Sequence, residues 1–399
     1  MAEHRARIGR RLVASGRLIL AAALAALLLA SPRGGVAALS LSDLRVEPGS
    51  VEAYGPMTVR LRFAGAGGPI ARLWVRLARE GQEVEPAAVE MRPAPVPGPA
   101  GGLWFSWEMG GPGAYRLSVA AEEAGGERSG PQTLALLVRE PARPYEELAY
   151  PSDGLKIKGY LYRPPGAAPA PAIVFNHGSR RREELSQAVR FEWLAYRLAR
   201  LGYVVFVPER RGYAGSEGQG VVSGEGLSSL RHGLPGEVKD VTAAVGFLAG
   251  RPEVDAGRIA LVGKSLGGMV GLLAAAEEPR VRAVASLAGG YGFGDRTTGV
   301  AVFYVEQALR DAAKRVAVPT LLLHAENDRV VPIGLSRSVR QEIAARGVPV
   351  ALKEYPPLQV GGKDVDGHRL FDGVSGLKVF WKDLTDFLAD TVGPARRPE

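Results

Sequence analysis

The sequence predicts two folded parts in series: a small all-β domain over 39–140, then a doubly wound α/β domain with a mostly parallel sheet over 145–392. Three observations carry this. Short alternating apolar/polar runs separated by Gly/Pro clusters fill the first part. Apolar strands alternate with amphipathic helices through the second. Within the second, the apolar run Arg258-Ile259-Ala260-Leu261-Val262 leads into Gly263-Lys264-Ser265-Leu266-Gly267 and then an apolar helix, so a strand turns into a helix over a small-residue bend.

Residues 1–38 are expected to be a leader and no part of either domain. Arg5, Arg7, Arg10, Arg11 and Arg17 make a positive start, Leu18 to Ala30 is uninterrupted apolar, and Val36-Ala37-Ala38 offers a small-residue cleavage site. This pattern reads as a secretory signal peptide, so the mature chain is expected to be secreted or periplasmic. The alternative, an uncleaved anchor, needs about 20 apolar residues, more than this run supplies. The leader carries six arginines and one glutamate, which leaves about +3 of the formal net charge of +8 for the rest. That balance gives no reason to expect nucleic acid or an anionic membrane surface as a partner. The chain has no cysteine, which excludes disulfides, thiolate chemistry and lipoprotein anchoring.

In the first part, Met57 to Phe63, Ala71 to Leu77, Tyr115 to Val119 and Leu134 to Val138 read as strands, spaced as in an immunoglobulin-like β-sandwich. Trp104-Phe105-Ser106-Trp107 is read as core in preference to a ligand platform. Pro141-Ala142-Arg143-Pro144 is a stiff linker. The second part opens with a hairpin from Glu147 to Tyr162 about the turn Pro151-Ser152-Asp153-Gly154. Strands follow at Ala172 to Asn176, Tyr203 to Pro208, Ala283 to Leu287, Thr320 to His324 and Val350 to Tyr355. Helices are predicted at Phe191 to Leu201, Val238 to Ala249, Met269 to Ala276, Val302 to Arg315 and Gly376 to Ala389. The glycine-rich stretch 215–236 and the segment 289–316 are expected to shape a fairly open pocket.

A strand ending in G-x-S-x-G and running into a helix is a nucleophile elbow. Two later segments supply what a serine nucleophile needs. Asp328, in Asn327-Asp328-Arg329-Val330-Val331-Pro332, lies just past the carboxyl end of a buried strand, where ligand sites of parallel sheets lie. His368, in Asp366-Gly367-His368-Arg369-Leu370-Phe371, precedes the last helix. His368 is the candidate base for Ser265, and Asp328 the candidate carboxylate that orients it. Glu326, Asp364 and Asp366 are rival acids; His177 and His324 are read as loop braces, and His232 comes too early in the chain. The oxyanion donors are assigned to the Leu266 N–H and to Ser179 in Asn176-His177-Gly178-Ser179. Arg210 and Arg211 are read as structural ion pairs and Lys264 as mostly solvated. Arg180-Arg181-Arg182 is either a solvated helix start or a bias toward anionic substrates. No H-E-x-x-H, Walker loop or dinucleotide fingerprint is present, so neither metal nor cofactor is expected.

With the His177-Gly178 loop, Arg211-Gly212-Tyr213-Ala214-Gly215-Ser216, Gly263 to Gly268, Asn327 to Pro332 and Gly367 to Phe371 in this order, the second part resembles the dienelactone hydrolase-like and prolyl oligopeptidase-like branch of the α/β-hydrolase superfamily. The resemblance spans most of 145–392. It implies an α/β-hydrolase fold and a Ser-His-Asp hydrolase acting through an acyl-enzyme. Two departures refine it: dienelactone hydrolase itself uses a cysteine where Ser265 stands, and the oligopeptidases carry a β-propeller where this chain has a predicted sandwich. The expectation is therefore an exported serine hydrolase of carboxylic esters or related acyl bonds on small-molecule substrates. The alternatives are an exported peptidase, or a non-catalytic binding protein on a hydrolase scaffold. The sandwich's partner is left open.

Overall fold

A computed structural model of the protein describes residues 39–393, apart from 50, 54–55, 65–68, 80–86, 90–91, 95–100, 142–144, 167–168, 293–298 and 361–362. The leader read at 1–38, most of the linker and part of the 289–316 segment lie outside the described residues. The chain separates into two compact units, one ending at Arg139 and a larger one beginning at Glu140.

The first unit is all β among its described residues. Its strands are β1 (Ser40–Glu47), β2 (Val51–Glu52), β3 (Pro56–Ala64), β4 (Ile70–Arg79), β5 (Ala87–Val89), β6 (Arg92–Ala94), β7 (Gly101–Glu108), β8 (Gly113–Glu123) and β9 (Gln132–Arg139). They form a four-stranded sheet, β1-β3-β7-β6, and a five-stranded sheet, β2-β9-β8-β4-β5. Pairing is antiparallel except between the short β2 and β9. Each sheet buries one face, as the period-2 patterning requires. Met57, Val59, Leu61, Leu103 and Phe105 come from the first sheet, and Leu73, Val75, Leu117, Val119 and Val138 from the second. Phe105 is core, while Trp104 and Trp107 are half-buried.

The second unit is a three-layer α/β domain. Its strands are β10 (Glu146–Ser152), β11 (Leu155–Tyr162), β12 (Ala170–Asn176), β13 (Val204–Glu209), β14 (Val254–Lys264), β15 (Val281–Leu287), β16 (Thr320–Ala325) and β17 (Val350–Tyr355). Its helices are α1 (Glu192–Arg200), α2 (Gly226–Ala249), α3 (Leu266–Ala275), α4 (Gly299–Ala313), α5 (Ile333–Ala344) and α6 (Val374–Thr391). The strands form one eight-stranded sheet in the order β10-β11-β13-β12-β14-β15-β16-β17. β10 and β11 form the predicted hairpin, with Asp153 at φ 52° and Gly154 at φ 79° in its turn, and β11 runs antiparallel to β13. From β13 to β17 the pairing is parallel.

Alternate residues of the central strands feed two cores. Ala172, Val174, Ile259 and Leu261 pack with Leu234, Val241 and Leu248 of α2 and with Met269 of α3. Ile173, Phe175, Ala260 and Val262 pack with Leu194 and Leu198 of α1 and with Phe380 and Leu384 of α6. A parallel sheet covered on both faces explains why these strands read as continuous apolar runs. The chain steps from β12 outward to β13, then returns across β12 to β14. Asn176 and Gly263 are partners in register at that switch point, where the carboxyl ends of strands leave a crevice.

One prediction needs correcting. The helix expected from Val238 starts at Gly226 and runs through Pro235, so half of the glycine-rich stretch is helical. Single-residue propensity disfavours Gly233, Pro235 and Gly236 inside a helix. Packing overrides it: Leu230 and Leu234 are buried. A Cβ on Gly233 would lie 2.6 Å from the Val221 nitrogen, and one on Gly236 2.4 Å from the Arg211 guanidinium. These glycines let the helix approach the 211–221 loop.

Leu261 is fully buried on a central strand. Leu261→Ala is expected to lower unfolding free energy by about 2–5 kcal/mol in urea titration, through lost burial and the cavity left behind.

Candidate active site

The elbow at the end of β14 is set by backbone contact. Ser265 adopts φ 55° and ψ −126°, a strained conformation for a residue with a side chain. Its N–H donates to the Leu287 carbonyl at 2.9 Å, and its carbonyl accepts from Gly268 at 2.9 Å and from Gly290 at 3.1 Å. A Cβ on Gly263 would sit 2.2 Å from the Gly267 carbonyl oxygen, and one on Gly267 2.2 Å from that of Asn176. Only glycine fits either place.

The candidate acid, Asp328, follows the end of β16, two strands from β14 in the sheet, and the candidate base, His368, comes after β17. The His368 Nδ1 donates to Asp328 Oδ2 at 2.8 Å, which leaves Nε2 as the ring's acceptor nitrogen. The other oxygen, Asp328 Oδ1, accepts from the backbone of Val330 at 2.9 Å and of Val331 at 2.7 Å. His324 contributes as well. Its Nε2 faces two acceptors, the Val331 carbonyl at 2.9 Å and Asp328 Oδ2 at 3.2 Å, so the proton is on Nε2 and Nδ1 accepts from the Ser336 hydroxyl at 2.8 Å. Burial pulls the Asp328 carboxyl upward, but the hydrogen bonds from His324 and His368 outweigh it and hold it well below the usual range. Asp328 is an ionised, fully partnered carboxylate. Its loop approaches the elbow through Gly290, where a Cβ would meet Val331 at 2.6 Å.

The rival acids are occupied otherwise. Glu326 and Asp364 are exposed, and Asp364 accepts from Gln359. Asp366 caps the 3₁₀ turn Gly367–Phe371, accepting from the His368 N–H at 3.0 Å and the Arg329 N–H at 2.9 Å. Asn327 joins the same loops: its Nδ2 donates to the Val365 carbonyl at 2.7 Å, and its Oδ1 accepts from Leu358 at 3.0 Å.

The loop after β12 passes against the serine. A Cβ on Gly178 would lie 3.2 Å from Ser265 Cβ and 3.7 Å from its Oγ. His177 is buried behind this loop; Nδ1 donates to the Gly178 carbonyl at 2.7 Å and Nε2 accepts from the Arg210 N–H at 3.3 Å. Burial, with Arg210 beside it, pushes its pKa well below the ordinary value, so the ring is a neutral brace. Fully buried Arg210 donates from Nη2 to the His177 carbonyl at 2.8 Å and from Nε to Glu237 at 2.6 Å. Arg211 pairs with Asp240, donating from Nη2 to Oδ1 at 2.8 Å and from Nε to Oδ2 at 3.0 Å. Leu266 is the buried first residue of α3, and half-buried Ser179 lines a cavity beside the elbow.

That cavity holds about 470 Å³ and includes Gly178, Arg180, Arg190, Trp193, Lys264 and Asp372 in its wall. Arg180 is engaged with the Gln187 carbonyl at 2.7 Å, and Arg182 pairs with Glu225, so these two arginines hold surface loops together. Lys264 corrects the sequence reading: its side chain is only 14% exposed and pairs with Asp372. An x position of the elbow gives no sign of this, since the partner is more than a hundred residues away in the chain. His324, read from the sequence as a loop brace, stands four positions before Asp328 with its Nε2 3.2 Å from that carboxylate.

Residues 157–359 match the family model described as the dienelactone hydrolase family. The α/β hydrolase domain-containing protein WAV2 of Arabidopsis thaliana is 26% identical over 272 residues, covering 62% of this chain and 79% of that protein. The acylamino-acid-releasing enzyme of Sus scrofa is 26% identical over 255 residues, 56% of this chain but only 33% of the enzyme. Among solved structures, a puromycin-hydrolysing peptidase of Mycobacterium tuberculosis superimposes with a TM-score of 0.50 at 19% identity, covering 88% of this chain and 56% of that one.

Glu209, buried beside His177, has its carboxyl pushed up to about 7, mainly by burial and against the pull of the Val189 N–H and Arg180. Its folded value lies above the ordinary 4.5, so the native state binds the extra proton and stability falls as pH rises from about 4.5 to about 7. Denaturant titrations across that range should show this slope flattened in Glu209→Gln; an unchanged slope would assign it elsewhere.

Proposed function

This chain belongs to the dienelactone hydrolase family, and from that premise we propose that it is an exported serine esterase with Ser265 as nucleophile, His368 as base and Asp328 as orienting acid. The family makes it a hydrolase of the esterase or peptidase type. The observation that carries the finer reading is the 2.8 Å hydrogen bond from His368 Nδ1 to a buried, ionised Asp328, at the carboxyl-end side of the parallel strands, where Ser265 also sits in its strained elbow. A carboxylate on Nδ1 fixes the tautomer that leaves Nε2 basic.

In this reading Ser265 Oγ attacks the acyl carbon as its proton passes to His368 Nε2. Negative charge collects on the former carbonyl oxygen, where the Leu266 N–H and Ser179 donate; one such donor is worth about 3 kcal/mol in the transition state. The intermediate expels the alcohol, which takes the proton from Nε2. Water, activated by the same nitrogen, then releases the acid from Ser265. The cavity of about 470 Å³ beside the oxyanion loop suits a small or medium acyl or alcohol group. Export rests on the arginine-rich start and apolar run of residues 1–38.

A peptidase reading is favoured by one observation, that a relative is named as an acylamino-acid-releasing enzyme. Its scissile bond would be an amide, and the leaving amine would take the proton from the same nitrogen.

The mature chain should be labelled at Ser265 by a fluorophosphonate; a folded, intact protein that resists labelling overturns the serine mechanism. Ser265→Ala and His368→Ala should each lower p-nitrophenyl acetate turnover by at least about a thousandfold, while Asp364→Ala leaves it unchanged. A panel of acyl esters beside aminoacyl-nitroanilides decides between esterase and peptidase. Cell fractionation with and without residues 1–38 tests export; retention of the full chain in the cytoplasm counts against it.

A further inference from the structure

We propose that Lys264 is a positioning residue: its ion pair with Asp372 ties the strand end that carries Ser265 to the turn that carries His368, and so holds nucleophile and base at their working separation. The inference rests on the reading of Ser265 and His368 given above. Lys264 ends β14 immediately before Ser265, and Asp372 is the C-cap of the 3₁₀ turn Gly367–Phe371 that contains His368. Their side chains meet across 108 residues of sequence.

The two ends are otherwise anchored to different neighbours. Ser265 is held by Leu287 and Gly290, on β15 and the loop after it. His368 is held by Asp328 and Asp366, and the Gly367 N–H donates to the Asn327 carbonyl at 3.1 Å. Those bonds fix each group within its own loop cluster. The Lys264–Asp372 pair runs directly from one cluster to the other.

Lysine is also a costly choice here. Its side chain is 14% exposed against 47% for Asp372. Burial draws the ammonium down to about 8, against the opposing pull of Asp328 and Asp366. Arg180, Arg190 and Glu192 are the other charged groups in the wall of the same cavity. A half-exposed ion pair adds little to global stability. Positioning is different, because a shift of about 1 Å between reacting groups costs about a hundredfold in rate. The residue is thus placed where its effect on catalysis exceeds its effect on folding.

The test measures kcat, KM and the rate of fluorophosphonate labelling on the mature chain in wild type, Lys264→Met, Asp372→Asn, the double variant and Lys264→Arg, with melting curves as a folding control. Lys264→Met and Asp372→Asn are each expected to lower kcat and labelling by about ten- to a hundredfold, with KM within about twofold. The double variant should be no slower than the worse single, because both remove one tie. Lys264→Arg should recover most of the rate. Asp372→Asn leaves the cation in place, so wild-type kcat in that variant overturns the proposal, as do losses that multiply or that appear in KM alone. Asp372 is half-exposed, so its variant decides the matter even if Lys264→Met does not fold. Failure of the underlying reading looks different: wild type is then unlabelled at Ser265, or His368→Ala labels at the wild-type rate. Wild type labelled in a His368-dependent way, with both tie variants at full speed, sinks this inference alone.

Discussion

Backbone-to-backbone contact at the elbow is the constraint on which the site depends. Gly263, Gly267 and Gly178 bring three chain segments so close that a methyl group would collide or crowd at each. That closeness holds Ser265 at a positive φ no isolated serine would choose, with strain of order 1–3 kcal/mol. The surrounding sheet over-determines the conformation: the Ser265 N–H is bonded to β15, and its carbonyl takes bonds from both α3 and the loop after β15. The consequence is a serine at the start of a helix, at the sheet's switch point, beside N–H groups with no helical partner of their own.

Around this contact the protein places charge where it will not move. Asp328 is satisfied by two backbone N–H groups and two histidines, so its negative charge is fixed before any substrate arrives. Behind the loop that follows β12, Glu237, Arg210 and His177 form a buried chain that ends on the Gly178 carbonyl. Buried ion pairs of this kind contribute little net stability, but removing one partner is costly because the other is left uncompensated. Their effect is to allow one arrangement of the loop that passes against Ser265.

Much of this was legible in the sequence, for identifiable reasons. A buried parallel sheet produces apolar runs, and a close-packed elbow demands glycines at set offsets from the serine, so Ile259 to Gly268 announces itself. Asp328 stood out because it follows a strand end, and His368 because few histidines compete with it. The start of α2 was not legible: Gly233, Pro235 and Gly236 weaken a helix locally, and only contact with the 211–221 loop explains their presence. The pairing of Lys264 was equally hidden, since its partner Asp372 is remote in sequence.

By itself, the sequence determined the class of fold, the order of its elements and the residue types suited to acyl transfer, because periodicity, glycine spacing and chain order are local properties. Tertiary structure decided which nitrogen of His368 faces Asp328, that His324 Nε2 lies beside the same carboxylate, and that the lysine before Ser265 is only 14% exposed and paired. These are matters of direction and solvent exclusion among residues far apart in the chain. Only the packed sheet, with its strand ends brought together, sets them.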